Sequence, residues 1–455
     1  MGSCSSKEVI FPRQNHSAEE VRYLESSKAR IDRYFHLLYN TITGCQTHEE
    51  VIHVRDGVEK LVQDMVGIVG EMDDRFYVKD NKLMKVGSFY EGTNLGRANQ
   101  FDYVVTIDAI EPEFVEMVDL NDMLGDTNVA VFIDKLKFGK FISAWKTMIV
   151  NSFLIGKMTS ENNTTGILDV FLKRVRKALK VIKTKETKFG RIEVDLNKET
   201  VIDGSGIKLY LTLTKDWHEI EDKVRIDKCS KETIYVTVTP AIEITDVKKY
   251  VLPDDCLDEK VHNELVKTGH FLLIAAEDGN FKKAFTVTET KLIKTLSERH
   301  FKTFCIVKFL FNGIDENELM TTFRGVECIL YNSQVLKMLM LKYSQLCTCS
   351  EYTEFELFDC VAFFLNKILE SLNKNSDTVW ILCDNVFMKK AKVVISDSGL
   401  VELHKAALTE MIKHELKYWI GEKEKYDFNK RPKQYGVTPL TQKMYKMLET
   451  LNPDV

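Results

Sequence analysis

The stretch Gly87-Ser88-Phe89-Tyr90-Glu91-Gly92, followed closely by Gln100-Phe101-Asp102-Tyr103-Val104, decides the fold. A glycine turn lets backbone N–H groups approach a polyphosphate, and the serine hydroxyl adds a donor. The second segment alternates apolar and polar residues, which is the pattern of a half-buried strand. Side chains two apart on a strand share a face, so Gln100 and Asp102 point the same way. Phosphoryl transfer by two divalent cations needs several carboxylates converging on one face. Here one of the two positions is acidic and the other is an amide.

With these segments in hand, the sequence resembles the family of cyclic GMP-AMP synthase, the cGAS-like receptors and the Mab (male-abnormal) developmental proteins. The resemblance runs from about residue 80 to 390. Gly87 to Glu91 is similar to the family's Gly-Ser-aromatic-Tyr-Glu, and Gln100-Phe101-Asp102 to its Glu-Phe-Asp. Val236-Thr237-Val238-Thr239-Pro240-Ala241 is similar to the strand that carries a third metal carboxylate, with Thr237 in the aspartate's place. Phe281-Lys282-Lys283-Ala284-Phe285-Thr286 resembles a segment whose basic residue contacts nucleotide, which points to Lys282. Phe304 to Leu310 resembles a helix whose lysine reaches phosphate, which points to Lys308. Ser333-Gln334-Val335-Leu336-Lys337-Met338 resembles a helix whose tyrosine stacks on a base; Gln334 has no flat aromatic face to stack with.

The resemblance implies an α+β protein: a mixed-sheet nucleotidyltransferase core with a long brace helix, an all-helical C-terminal lobe, and a cleft between the two. It implies nucleoside triphosphates, ATP and GTP, as ligands, with magnesium or manganese if the site is active. Catalysis would centre on Asp102, with Gln100 and Thr237 at the other metal-ligand positions, and Asp102 would be the metal ligand that remains. Nucleotide would be held by Gly87, Ser88, Lys282, Lys308, Ser333 and Gln334. An amide and a hydroxyl offer neutral oxygens, and a hard cation loses most of its attraction without the charges. Glu193 and Asp195, on one face of an alternating segment, are a conceivable replacement pair, although such acids ordinarily form a solvated outer face. Asp108 is a weaker candidate.

Two functions of different class follow. In one, the chain is catalytically degenerate and works by binding a nucleotide, double-stranded RNA or a protein partner, as a sensor or scaffold. In the other, it is an active cyclic-dinucleotide synthase that joins ATP and GTP and is switched on by double-stranded nucleic acid in innate immune signalling. The missing carboxylates favour the first.

The 455 residues exceed what one core accommodates, so more than one lobe is expected. A formal net charge of -5 gives no general attraction to nucleic acid, so any such contact is local. The expected organisation is a tether over 1–16, the nucleotidyltransferase core over 17–260, the helical lobe over 261–430 and a terminal segment over 431–455. A capping box at Ser17-Ala18-Glu19-Glu20 opens one helix. A second follows Thr47, with Val51, Val54, Val58, Leu61, Val62, Met65 and Val69 at helical spacing. Strands are expected near 83–89, 101–108, 129–133, 191–197, 206–213 and 233–243.

A helix with an apolar stripe at Leu172, Val175, Leu179 and Ile182 carries Lys173, Arg176, Lys177, Lys180 and Lys183 on its other face. Such a face can follow the backbone of double-stranded RNA, although a solvated face gives the same pattern. Ten cysteines without regular pairing, and no secretory signal, suggest reduced thiols in the cytoplasm. Cys347, Cys349 and Cys360 have no histidine beside them along the chain, so no zinc is expected. Met1-Gly2-Ser3-Cys4-Ser5-Ser6 meets the myristoylation pattern, with Gly2 as acceptor and Cys4 placed for palmitate. Two acyl chains would anchor the protein to a membrane surface.

Overall fold

The computed structural model describes residues 32–33, 35–40, 42–43, 48–78, 83–95, 99–120, 128–133, 142–159, 164–182, 184–221, 224–256, 258–276, 278–312, 333–347, 357–374, 381–384, 387 and 392–396. The Ser17 capping box, the lipidation residues Gly2 and Cys4, Lys183 and the segment 431–455 lie outside them. The elements run α1 (His48–Met72), β1 (Leu83–Val86), α2 (Gly87–Glu91), β2 (Gln100–Thr106), β3 (Val115–Asp119), β4 (Asn128–Ile133), β5 (Ile149–Val150) and β6 (Phe153–Leu154). They continue through α3 (Ile167–Ala178), β7 (Lys185–Thr187), β8 (Gly190–Val194), β9 (Val201–Asp203), β10 (Gly206–Glu221) and β11 (Val224–Ile244). The remainder comprises α4 (Glu259–Thr268), β12 (Phe271–Ala275), β13 (Phe281–Ala284), α5 (Thr286–Lys294), α6 (Glu298–Asn312), α7 (Ser333–Ser344), α8 (Leu357–Lys374), β14 (Ile381–Asp384) and β15 (Lys392–Ser396).

The fold is α+β, built on one large sheet in the order β5-β6-β4-β13-β12-β11-β10-β8-β7. To its side, β1 pairs with β2, and β2 runs parallel to β11; among the described residues this is the one parallel pairing. Alternation sorts β2 into two faces: Phe101, Tyr103 and Val105 enter the main core, while Asp102 and Val104 face the other way. On that second face Val104 joins a small cluster with Val86, Ala241 and Leu272, against which Val287 of α5 packs.

Helix α1 buries its predicted stripe from Val54 through Val69, with Val51 half-buried against the same core. It approaches the β7–β8 hairpin so closely that a Cβ on Gly57 would lie 2.7 Å from Ile192 Cδ1. The same helix braces the Gly-Ser turn, since Glu59 accepts hydrogen bonds from Lys85 Nζ at 2.7 Å and from the Tyr90 hydroxyl at 3.0 Å. At its C-terminal end Asp73 is clamped by Arg75 and by Arg174 of α3, at 2.7 and 2.9 Å.

Two sequence expectations are corrected. The stretch after residue 261 is not all-helical: β12 and β13 complete the main sheet, and β14 pairs with β15 in a sheet of two strands. Phe271-Leu-Leu-Ile-Ala is a continuous apolar run, and periodicity alone does not separate a strand buried on both faces from a short helix. The first expected strand also stops early, because Gly87 turns the chain at φ +80° into α2. Among the described residues no helix is long and apolar enough to cross a membrane.

Candidate functional site

The site forms where β1, β2 and β11 lie side by side. Val86 stands opposite Asp102 on one flank, and Thr237 stands opposite it on the other. The Thr237 hydroxyl favours the charged form of the Asp102 carboxylate. Gly87 folds over the same carboxylate, and a Cβ built on it would come within 2.3 Å of Asp102 Oδ2. Only glycine fits there, for this contact and for its left-handed backbone. Burial pushes the Asp102 carboxyl above the ordinary aspartate range; Glu91 adds to this, while the Thr237 hydroxyl and the charges of Lys337 and Lys308 oppose it.

Beneath the turn lies a buried polar cluster. Lys337 of α7 reaches Glu91 Oε1 of α2 at 2.6 Å and Glu289 Oε2 of α5 at 3.3 Å. All three residues are buried. Burial presses on the Lys337 ammonium, but Glu289 and Glu91 outweigh it and hold its pKa above the ordinary lysine value. Lys308 of α6 donates to the Thr93 carbonyl at 3.1 Å. Burial lowers its pKa from 10.5 to about 8, with the Lys337 charge acting in the same direction and Glu91 against it.

The Lys308 shift has a testable consequence. In the unfolded chain this lysine keeps its proton up to about pH 10.5, whereas in the folded protein it releases it near 8. Between those values the unfolded state binds more protons, so stability rises with pH in that window. The rise is expected to be up to about 3 kcal/mol for this group alone. Urea unfolding from pH 7.5 to 10 measures it, and Lys308→Met should remove that component of the slope.

The other sequence candidates take different places. Gln100, level with Tyr235 of β11, is exposed at the start of β2. Glu193 is level with Thr212 of β10 and hence with Thr233 of β11, three strands from β2 and four residues along from Asp102. At ordinary strand spacing and rise that is about 14 Å across and about 13 Å along. Glu193 instead faces Arg191 at 3.6 Å, and Asp195 accepts from the Asn197 N–H. Neither replaces a missing carboxylate. Asp108 sits exposed beyond the end of β2.

Lys282 is level with Ile274 of β12 and through it with Ala241 and Thr106, three strands from β2 in the opposite direction along the sheet. On its other side it stands opposite Asn128 of β4. Its neighbour Lys283 points inward and pairs with Asp119 at 2.8 Å. Ser333 and Gln334 open α7, one turn before Lys337; their side chains lie outside the described residues. Lys173, Arg176 and Lys177 are exposed on α3, and Lys180 is exposed just past its end. Arg176 is held against the body by Glu199 Oε1 at 2.6 Å and the Thr200 carbonyl at 2.7 Å.

The structure thus brings Gly87, Ser88, Asp102, Thr237 and Lys308 into one neighbourhood and leaves Lys282 and the α3 lysines outside it. Sequence reasoning passed over Lys337, Glu91 and Glu289. A signal was present: Lys337 is a lone charge within Val335-Leu336-Lys337-Met338-Leu339-Met340-Leu341, and a charge inside an apolar run needs a buried counter-charge. The zinc expectation weighed only neighbours along the chain, whereas the fold sets His300 beside Cys347 and Cys360.

The donor set at Asp102 does not fit a pair of magnesium or manganese ions. One carboxylate faces a threonine, the nearest other carboxylate, Glu91, is occupied by Lys337, and the amide of Gln100 carries no charge. No protein-family description matches this sequence, and no curated protein matches it.

Proposed function

We propose that this chain is a nucleotidyltransferase-fold protein of the cGAS-like and Mab type that has lost transfer chemistry and works by binding a nucleoside triphosphate at the Gly87 turn. What supports the reading most directly is the pairing of Asp102 with Thr237 across the parallel strands. A second cation ligand in that place would make the site a catalytic one; a neutral hydroxyl facing the remaining carboxylate brings no charge to hold a second cation. The glycine turn, with its bare approach to the strand, and the Lys308 ammonium beneath it suit a phosphate group better than a dinuclear metal centre. Binding of double-stranded RNA along α3 and of a membrane through the N-terminal lipid belongs to the same reading, as recruitment rather than chemistry.

The test is incubation of the purified full chain with all four labelled nucleoside triphosphates, magnesium or manganese, and double-stranded RNA or DNA. Triphosphate binding without a new product is the expected result, with binding abolished in Gly87→Val. A cyclic or linear dinucleotide product that disappears in Asp102→Asn would overturn the reading in favour of an active synthase.

A further inference from the structure

Four cysteines among the described residues are thiols rather than disulfides: Cys256, Cys305, Cys347 and Cys360. Two of them are ordinary buried side chains. Cys256 donates weakly to the Phe387 carbonyl at 3.4 Å, and burial pushes the Cys305 thiol up to about 12, which makes it inert. The other two converge. Cys347, just past the end of α7, and Cys360, in the first turns of α8, meet His300 in the first turn of α6, with their ligand atoms all within 4.8 Å of one another.

We propose that His300, Cys347 and Cys360 form a zinc site that staples α6, α7 and α8 together. The donors are right for this ion: two sulfurs and an imidazole are a borderline-soft set, which zinc takes in tetrahedral geometry. Zinc bonded to two thiolates and a histidine holds its ligand atoms about 3.5–3.8 Å apart, so closing on the ion needs side-chain rotations of about 1 Å. The charge also balances. Two thiolates neutralise the dication and the imidazole stays neutral, so the occupied site is uncharged where His300 and Cys360 are buried.

Cys347 is half-buried, and a water molecule reaching the ion past it would complete the tetrahedron as fourth ligand. On binding, each thiol loses its proton to solvent and its sulfur donates an electron pair to the metal, with no change of oxidation state. The ligands arise from three helices that the chain reaches one after another. The ion therefore cross-links the part of the protein that carries Lys308 and Lys337, and its loss loosens the wall of the nucleotide cleft.

The experiment starts from the full chain purified without added metal and under reducing conditions. Metal analysis is expected to find about one zinc per chain, and zinc X-ray absorption to show two sulfur and two nitrogen or oxygen neighbours. Replacement by cobalt should give a tetrahedral spectrum with thiolate charge-transfer bands. His300→Ala, Cys347→Ser and Cys360→Ser should each weaken zinc binding at least about tenfold, while Cys305→Ser, a buried thiol on the same helix, keeps it. A folded wild-type chain that retains no zinc and shows no thiolate–cobalt bands would overturn the proposal. So would equal zinc content in wild type and all three ligand variants, or a Cys347–Cys360 disulfide as the resting state. Circular dichroism separates loss of the ligand from loss of the fold, and if a variant fails to fold, the cobalt spectrum of the wild type decides.

Discussion

Lys337→Met is expected to cost about 3–5 kcal/mol of stability, the range for removing one partner of a buried ion pair. The ammonium sits between two carboxylates that have little access to solvent. Taking it away strands Glu91 and Glu289 together, each desolvated and each repelling the other. Methionine fills the volume and supplies no charge, so the loss reads out the electrostatics rather than a cavity. Adding Glu91→Gln to Lys337→Met should return a large part of the loss, because it removes one of the stranded charges. Thermal unfolding of the single and double variants measures this. A single variant within about 1 kcal/mol of wild type would place Lys337 at the surface, contrary to the geometry.

Thr237→Asp carries the second large effect. The variant carboxylate would face Asp102 across adjacent strands, whose spacing is about 4.8 Å. Without a cation, two like charges at this separation should cost roughly 1–3 kcal/mol, and Asp102 already bears a burial cost. Manganese should restore most of that stability by bridging the pair, and in Gln100→Glu with Thr237→Asp the third carboxylate should tighten the binding further. Wild type should show no comparable rise in melting temperature with manganese. Manganese titration followed by thermal unfolding and by electron paramagnetic resonance makes the comparison. A Thr237→Asp protein indifferent to manganese would mean that position 237 does not face Asp102, and the proposed function would lose its main support.

What could be read in the sequence follows from how local each signal is. The turn at Gly87, the strand after Gln100 and the apolar stripe of α1 are each written in a dozen residues, and the structure places all three. The facing of Thr237 and Asp102 was legible only because two short motifs could be aligned with a known pattern. Strand β12 was missed because Phe271 to Ala275, buried on both faces, carries no alternation to detect, and β13 because its four residues, with Lys282 and Lys283 side by side, break the apolar–polar alternation. The hairpin of β10 and β11 runs far beyond the expected 206–213 and 233–243, since its distal half, with Asp216, His218, Asp227 and Lys228, is too polar to announce a core strand. Glu91, Glu289 and Lys337 meet only after α2, α5 and α7 have packed, and the same is true of His300 and its two cysteines. Contacts between distant stretches leave no periodic trace, so they were not legible.

The parallel pairing of β2 with β11 also sets an order in time. Most contacts in the large sheet can begin from a hairpin or a neighbouring strand, whereas β2 and β4 must each wait for a partner more than a hundred residues further along the chain. Closing so long a loop is slow and entropically costly, and it succeeds only once the β10–β11 hairpin offers a fixed edge. Asp102 therefore reaches its partner only after β11, in the middle of the chain, has been made. Until then, the apolar row Phe101, Tyr103 and Val105 is exposed, which makes this strand the point at which chaperones would be needed most.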